Sequence, residues 1–355
     1  MTHRFNFFLL LLVLLASSCR KYPGLQSIEI QINDNWSFCK AGDNNWMPAV
    51  VPGNIFSDLL KNEKIGDPFY RDNERTIQWV SDEDWEYRTK FDVPDDILKD
   101  DQILIHFDGL DTYADVYLNN RLVLKADNMF RSWDVPCKGL VKERDNLLRI
   151  YFHSPLKVGM QRVKQLSYLL PSIGEQVPDS EKTSAFTRKA AFQYGTDWSP
   201  RIVGCGIWRP VSIRAWSFAH ISDILLEPNS INKDLADYNA ILNIGAAKAG
   251  VYQLSFYIDN NLVGSPFSVN LKKGNNKEVF NFQIERPNLW WCNGMGDHYL
   301  YTLRVQLTHE KKPVTEITQR FGVRKLELVQ DSDAFGRSFY FRLNGVPVFM
   351  KGSNY

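Results

Sequence analysis

"FDGLDTYADVYLNNRLVL", Phe107 to Leu124, decides the fold class. Ala114, Val116 and Leu118 alternate with polar or smaller neighbours. Asn119-Asn120 then turns the chain, and Leu122 and Leu124 return on the far side. A period of two means a strand with one face in a core and one in water. The same alternation recurs at Ile103, Ile105 and Phe107, at Leu148, Ile150 and Phe152, and at Val211 and Ile213. Many short strands at this spacing, from about Ile28 to Trp216, predict an antiparallel sandwich or jelly roll. One helix interrupts them. Ser154 is a good N-cap, Pro155 suits the first helical position, and the apolar spacing runs on towards Leu170. The polar segment from Ser172 to Thr187 reads as a long excursion, a functional loop or a merely solvated one.

A second β region runs from about Ala219 to Val323. Tyr252, Leu254, Phe256 and Ile258 alternate, Asn260-Asn261 turns the chain, and Tyr301, Leu303, Val305 and Leu307 alternate later. These strands predict an immunoglobulin-like sandwich, without the Cys-Trp-Cys framework of antibody domains. Beyond Arg324 comes "FYFRLNGVPVFMKGSNY", in which Asn344-Gly345 marks a tight hairpin. That region has too few residues for a core of its own. The expected division is therefore 1–18, 20–217, 218–323 and 324–355.

The chain has 355 residues and a net charge of +1, so no bulk field points to nucleic acid or to lipid. Aromatic residues make up 13%, which suits buried sandwich cores or sugar platforms. Arg4, the apolar run Phe7 to Leu15 and the small residues Ala16-Ser17-Ser18 read as a bacterial secretory signal. Leu15 to Cys19 resembles a lipoprotein signal, with Cys19 the lipidated first mature residue; cleavage after Ser18 is the alternative. Either places the mature chain outside the cytoplasm, in the periplasm or on the outer membrane, with membrane contact only through the lipid. Cys39, Cys137, Cys205 and Cys292 form no C-x-x-C pair and read as buried thiols, one disulfide being permitted.

Several longer stretches carry a resemblance. "DPFYRDNE" (Asp67 to Glu74), "DWEYRTKF" (Asp84 to Phe91), "FDGLDTYADVYLNN", "GIWRPV" (Gly206 to Val211), "PNLWWCNGMGDHYLY" (Pro287 to Tyr301) and "FGVRKLELVQ" (Phe321 to Gln330) follow one another in order. Together they resemble glycoside hydrolase family 2. "VPGNIFSDLL" and "YGTDWSPR" look most like its β-mannosidase branch. The resemblance implies a jelly roll, then an immunoglobulin-like sandwich, then the entrance to a (β/α)₈ barrel beginning with "FRLNGVPVFMKGSNY". It also implies a retaining exo-glycosidase for terminal β-mannosyl residues, using two glutamates and no cofactor. Retention needs the carboxylates about 5–5.5 Å apart, one as acid/base and one as nucleophile.

The family's two catalytic glutamates have no counterpart in these residues, so no catalytic residue is assigned and the chain alone is expected to be inactive. Asn62-Glu63 and Asn73-Glu74 are the kind of dipeptide that carries the acid/base, but both sit in the first domain. The acidic run Asp82-Glu83-Asp84 reads as a solvated turn. The substrate-binding candidates are Asp197 and Trp198, in a loop that in β-mannosidases reads Trp-Asp-Trp-Gly-Pro and reaches the terminal sugar. An Asp there can accept two sugar hydroxyls, and Trp198 offers an apolar face. Thr196 and Ser199 depart from the pattern. They leave an exo-β-glucosaminidase-like enzyme open, beside a carbohydrate-binding lipoprotein without catalysis and a plain structural module. Arg188 and Lys189 match positions that support this loop, yet by themselves read as surface charge. Trp290-Trp291 reads as packing before a sugar platform.

Overall fold

The computed structural model describes residues 27–172, 174–196 and 199–353. Residues 1–18, read above as a secretory signal, and Cys19 lie outside them. The described chain forms two compact units, one spanning Ile28–Trp216 and the other beginning at Ser217.

The first unit is a jelly-roll sandwich. Its six-stranded sheet runs in the order Met47–Pro48, Ser37–Lys40, Trp85–Phe91, Asn146–His153, Tyr113–Leu118 and Arg121–Asp127. Its four-stranded sheet runs Ser27–Gln31, Val211–Trp216, Gln102–Phe107 and Trp133–Pro136. The predicted alternation sets which faces meet. Leu148, Ile150, Phe152, Val116 and Leu118 are buried from one sheet, and Ile103, Ile105, Phe107, Val211 and Ile213 from the other. Each such side chain stabilises the fold by about 1.5–3 kcal/mol relative to exposure. Asn119 and Asn120 both take positive φ, 50° and 67°, as a type I′ turn demands. The Asn119 carboxamide also bridges to its surroundings, accepting from Leu147 N at 3.0 Å and donating to Leu140 O at 2.8 Å.

Several short helices accompany the strands where the sequence predicts one, and two of them bear on the site. Ile55–Lys61 starts at a capping box, in which the Asn54 side chain accepts from the Phe56 and Ser57 amides. Pro155–Val163 starts where the sequence predicts, with Ser154 Oγ accepting from Lys157 N at 3.2 Å. It ends earlier than its apolar spacing suggests. Gly159 explains its close seat: a Cβ there would lie 2.6 Å from Thr183 Cβ. The excursion is therefore packed down on the helix. The buried Glu175 carboxylate staples it, accepting from the backbone amides of Thr183 and Ser184 at 3.1 Å. Asp84 is likewise not a free surface charge; it accepts from Ser154 N at 2.8 Å and from Tyr151 Oη at 2.9 Å.

The second unit contains an immunoglobulin-like sandwich. One sheet holds Ala219–Ile231, Leu235–Ala246 and Gly274–Glu285. The other holds Asn261–Leu271, Gly250–Ile258, Tyr301–His309 and Lys312–Phe321. Leu242, Ile244, Leu254, Phe256, Leu303, Val305 and Leu307 fill the space between. The turn expected at Asn260-Asn261 sits one residue earlier. Asp259 and Asn260 carry the positive φ values, 48° and 69°, and Asn261 already begins the next strand.

Beyond it, Leu326–Val329, Tyr340–Leu343 and Val346–Val348 form a three-stranded antiparallel sheet. Its hairpin turns at Asn344 and Gly345, again with positive φ. Trp290 and Trp291 serve packing. A Cβ on Gly322 would lie 2.9 Å from Trp290, and one on Gly296 2.8 Å from Trp291. Cys39, Cys137, Cys205 and Cys292 are all free thiols, the first three buried.

Candidate functional site

Tyr194–Thr196 and Ser199–Arg201 pair as two arms of a short hairpin, with Tyr194 opposite Arg201 and Thr196 opposite Ser199. Asp197 and Trp198, between them in sequence, lie outside the described residues. The structure defines how the arms are held.

The first anchor is at the base of the arms. Lys189 Nζ lies 2.6 and 2.5 Å from the two carboxylate oxygens of Asp111 and 2.7 Å from Gly204 O. Its side chain is 0% exposed and that of Asp111 5%. Gln193 completes the cluster, donating to Asp111 Oδ2 at 3.2 Å and accepting from Gly204 N at 3.3 Å. Thr112 Oγ1 donates to Asp111 Oδ1 as well. Two neutral donors and a paired cation satisfy the carboxylate, which is what a buried charge requires. Lys189 is thus not surface charge: it lies under the hairpin. Arg188 is exposed.

The second anchor uses a residue of the Asn73-Glu74 dipeptide. Glu74 Oε1 accepts from Arg201 N at 2.5 Å. Gln78 grips the same residue twice, accepting from Arg201 Nη1 at 2.6 Å and donating to Arg201 O at 2.8 Å. Glu74 is a brace for the second arm. Gln176, from the excursion, donates to Thr196 O and holds the first arm.

Asp111, two residues before the strand Tyr113–Leu118, is placed by a glycine. Gly206 and Asp111 exchange backbone hydrogen bonds of 2.9 and 2.8 Å. Gly206 has φ +156°, and a Cβ on it would lie 2.7 Å from both Gly53 O and Asn54 Cα. Only glycine allows this approach, which brings the "GIWRPV" stretch against the start of the Ile55–Lys61 helix.

A cavity of about 390 Å³ opens beside the hairpin. Phe69, Phe192, Pro200, Ile202 and Trp208 supply apolar walls, and Asp111 and Gln193 lie among its polar lining. Phe69 and Phe192 are 77% and 65% exposed, an apolar rim facing outward. Such a mix, mostly apolar with a few polar groups, is what small-ligand sites use. Sequence reading gave Asp111, Gln193 and Glu74 no supporting role here. Asp111 sits in "FDGLDTYADVYLNN" between Leu110 and the strand that starts at Tyr113, a charge against an apolar stretch that could have marked it.

The profile described as glycosyl hydrolase 2 galactose-binding domain-like matches residues 36–209, and the profile of glycosyl hydrolases family 2 matches residues 219–324. The chain belongs to glycoside hydrolase family 2. Within it, the chain is similar to the N-terminal portion of β-mannosidases. β-Mannosidase B of Aspergillus flavus is 34% identical over 330 residues, which cover 91% of this chain and 38% of the relative. β-Mannosidase B of Emericella nidulans is 32% identical over 335 residues, with 38% of the relative covered. The chain thus spans under two fifths of the length of the curated relatives it matches. Among solved structures, β-D-mannosidase from Dictyoglomus thermophilum superposes with a TM-score of 0.87 at 35% identity, over 92% of this chain and 40% of the other. The exo-chitosanase CsxA of Amycolatopsis orientalis, at 19% identity and a TM-score of 0.68 over 93% of this chain and 37% of that one, shares the fold.

Proposed function

We propose that this family 2 chain is the sugar-facing, non-catalytic portion of a retaining exo-β-mannosidase that removes terminal β-mannosyl residues from glycans. The observation that carries the reading is the likeness to β-D-mannosidase from Dictyoglomus thermophilum, 35% identical with a TM-score of 0.87. In this proposal a barrel supplies the two catalytic glutamates. The present residues supply the hairpin, whose Asp197 accepts hydroxyls of the terminal sugar and whose Trp198 walls the sugar's apolar side. The braced arms support that role, because a group that orients substrate works best when its flanks do not move.

Export is part of the proposal. The leader before Cys19 supports secretion, and Cys19 itself supports a lipid anchor. Loss of labelled palmitate incorporation in Cys19→Ser, with export retained, is the expected result; labelling that persists would remove the anchor from the account.

Substrate class is tested by a chimera in which residues 20–355 replace the matching 40% of the Dictyoglomus enzyme. It should hydrolyse an aryl β-mannoside and prefer it to the aryl β-glucosaminide. A folded chimera with the reverse preference would favour the glucosaminidase-like reading that Thr196 and Ser199 leave open.

A further inference from the structure

A cleft of about 530 Å³ lies in the immunoglobulin-like sandwich, beside Ala219–Ile231 and Lys312–Phe321, the outer strands of its two sheets. Its lining includes Tyr238, Trp290, Leu300, Arg320, Phe321 and Arg324. The volume is that of a small-ligand site.

Three polar side chains of the cleft have no hydrogen-bond or ion-pair partner among the described residues. Arg320 and Arg324 are exposed, and neither has a carboxylate within ion-pair distance among the described residues. Neighbouring acids are already taken: Glu316 holds Arg304 at 3.1 Å, and Glu327 holds Lys325 at 2.8 Å. Tyr238 is only 4% exposed, yet its hydroxyl makes no hydrogen bond with any described residue. Tyr238 lies on the wall of the cleft. A buried phenol with an unused donor at the edge of a cavity is set to meet something inside it.

The donors are also held in place. The guanidinium of Arg324 lies 4.6 Å over the Trp290 ring. Trp290 in turn is fixed by its amide on Val323 O at 2.8 Å, by Asn344 Nδ2 on its carbonyl at 3.0 Å, and by Gly322 beneath it. Stacking leaves the N–H edge of the guanidinium free for in-plane hydrogen bonds. The Tyr238 ring is wedged between Phe282 and Phe321, each 5.6 Å away by ring centroids.

We propose that this cleft binds the oxyanion of an acidic ligand, the carboxylate or sulfate ester of an acidic sugar, through Arg320, Arg324 and the Tyr238 hydroxyl. Guanidinium forks match both oxyanions, and charge-assisted bonds to them are the stronger kind. Burial, opposed by Arg324, pushes the Tyr238 hydroxyl up to about 12, so it keeps its proton and can donate. Leu300 and Phe321 give the rest of a ring apolar walls. A cationic amino sugar would be repelled. The proposal stands apart from hydrolysis and from the hairpin of the first unit.

The full chain, labelled with nitrogen-15, is titrated at constant ionic strength with sodium glucuronate, sodium sulfate and glucose. Saturable shifts of the Trp290 indole and of the amides of Tyr238 and Arg324 are expected with at least one anion and not with glucose. The tighter anion identifies whether a carboxylate or a sulfate is the recognised group. Arg320→Ala/Arg324→Ala should weaken binding about tenfold or more, and Tyr238→Phe several-fold. No saturable shift with either anion, equal binding of glucose, or shifts unchanged in both variants would overturn it. If the double variant fails to fold, Tyr238→Phe, which removes one oxygen atom, decides alone.

Discussion

Lys189 Nζ sits 2.5 Å from Asp111 Oδ2 with its own side chain fully withdrawn from water. The pair joins the chain just after the excursion to the residues just before the core strand Tyr113–Leu118, and through Gln193 it fixes the base of the hairpin. Its energetic weight lies less in mutual attraction than in what is left when one partner goes. An isolated carboxylate in this position has lost its solvent and kept its charge.

Lys189→Met should therefore lower the stability of the first unit by about 3–5 kcal/mol in urea unfolding. Asp111→Asn/Lys189→Met, which removes both charges, should lose less than the single variant. A single-variant loss below about 1 kcal/mol would mean that water reaches the pair.

Glu74→Ala should leave the fold intact and loosen the hairpin. The Arg201 amide loses its acceptor, a bond to a charged group of about 1.5–3 kcal/mol, so its hydrogen exchange should accelerate about tenfold or more. Glu74→Gln should restore most of the protection. Equal exchange in all three proteins would assign the bracing to Gln78 alone.

Asp58 gives a pH signature. It is 1% exposed, and burial raises its carboxyl above the usual carboxylate range, against the bonds from Val50 N and Tyr87 Oη that favour the anion. A raised folded value means that the fold prefers the protonated form. The contribution of this group is then most favourable below the unfolded value near 4, and diminishes as pH rises through the folded one. Asp58→Asn, which can still accept from Val50 N, should flatten that fall; stability profiles of both proteins between about pH 3 and 7 would show it. Parallel profiles would remove Asp58 as the source.

Gly159→Ala sets two effects against each other. Helix propensity favours alanine by about 1 kcal/mol. The new Cβ, 2.6 Å from Thr183 Cβ, forces the helix and the excursion apart at about 1–3 kcal/mol. Net destabilisation is expected in thermal unfolding, and a gain in stability would show that the excursion yields freely.

Alternation made the two sandwiches readable, because burial of one strand face is a local, repeating demand. Asn119-Asn120 and Asn344-Gly345 were readable because few residues accept left-handed backbone. Ser154-Pro155 marked the start of its helix, but the apolar spacing beyond Val163 did not mark its end. Lys189 and Glu74 were opaque for a related reason. A charge is read as solvent-facing until its partner is known, and Asp111 is distant in sequence from Lys189, as Arg201 is from Glu74. The short helix at Ile55–Lys61 was missed although Asn54 and Ser57 spell its capping box. At the hairpin, resemblance pointed to Asp197 and Trp198, while its supports became visible only in three dimensions.

The central claim, that this hairpin delivers a sugar-binding carboxylate to a β-mannosidase site, is tested most directly in the chimera with the Dictyoglomus enzyme. Asp197→Ala should reduce kcat/KM for an aryl β-mannoside by about 10–150-fold, the loss of a charged hydrogen bond of about 1.5–3 kcal/mol, with the melting temperature unchanged. A chimera that turns over β-mannoside at the same kcat/KM with and without Asp197 would contradict the account.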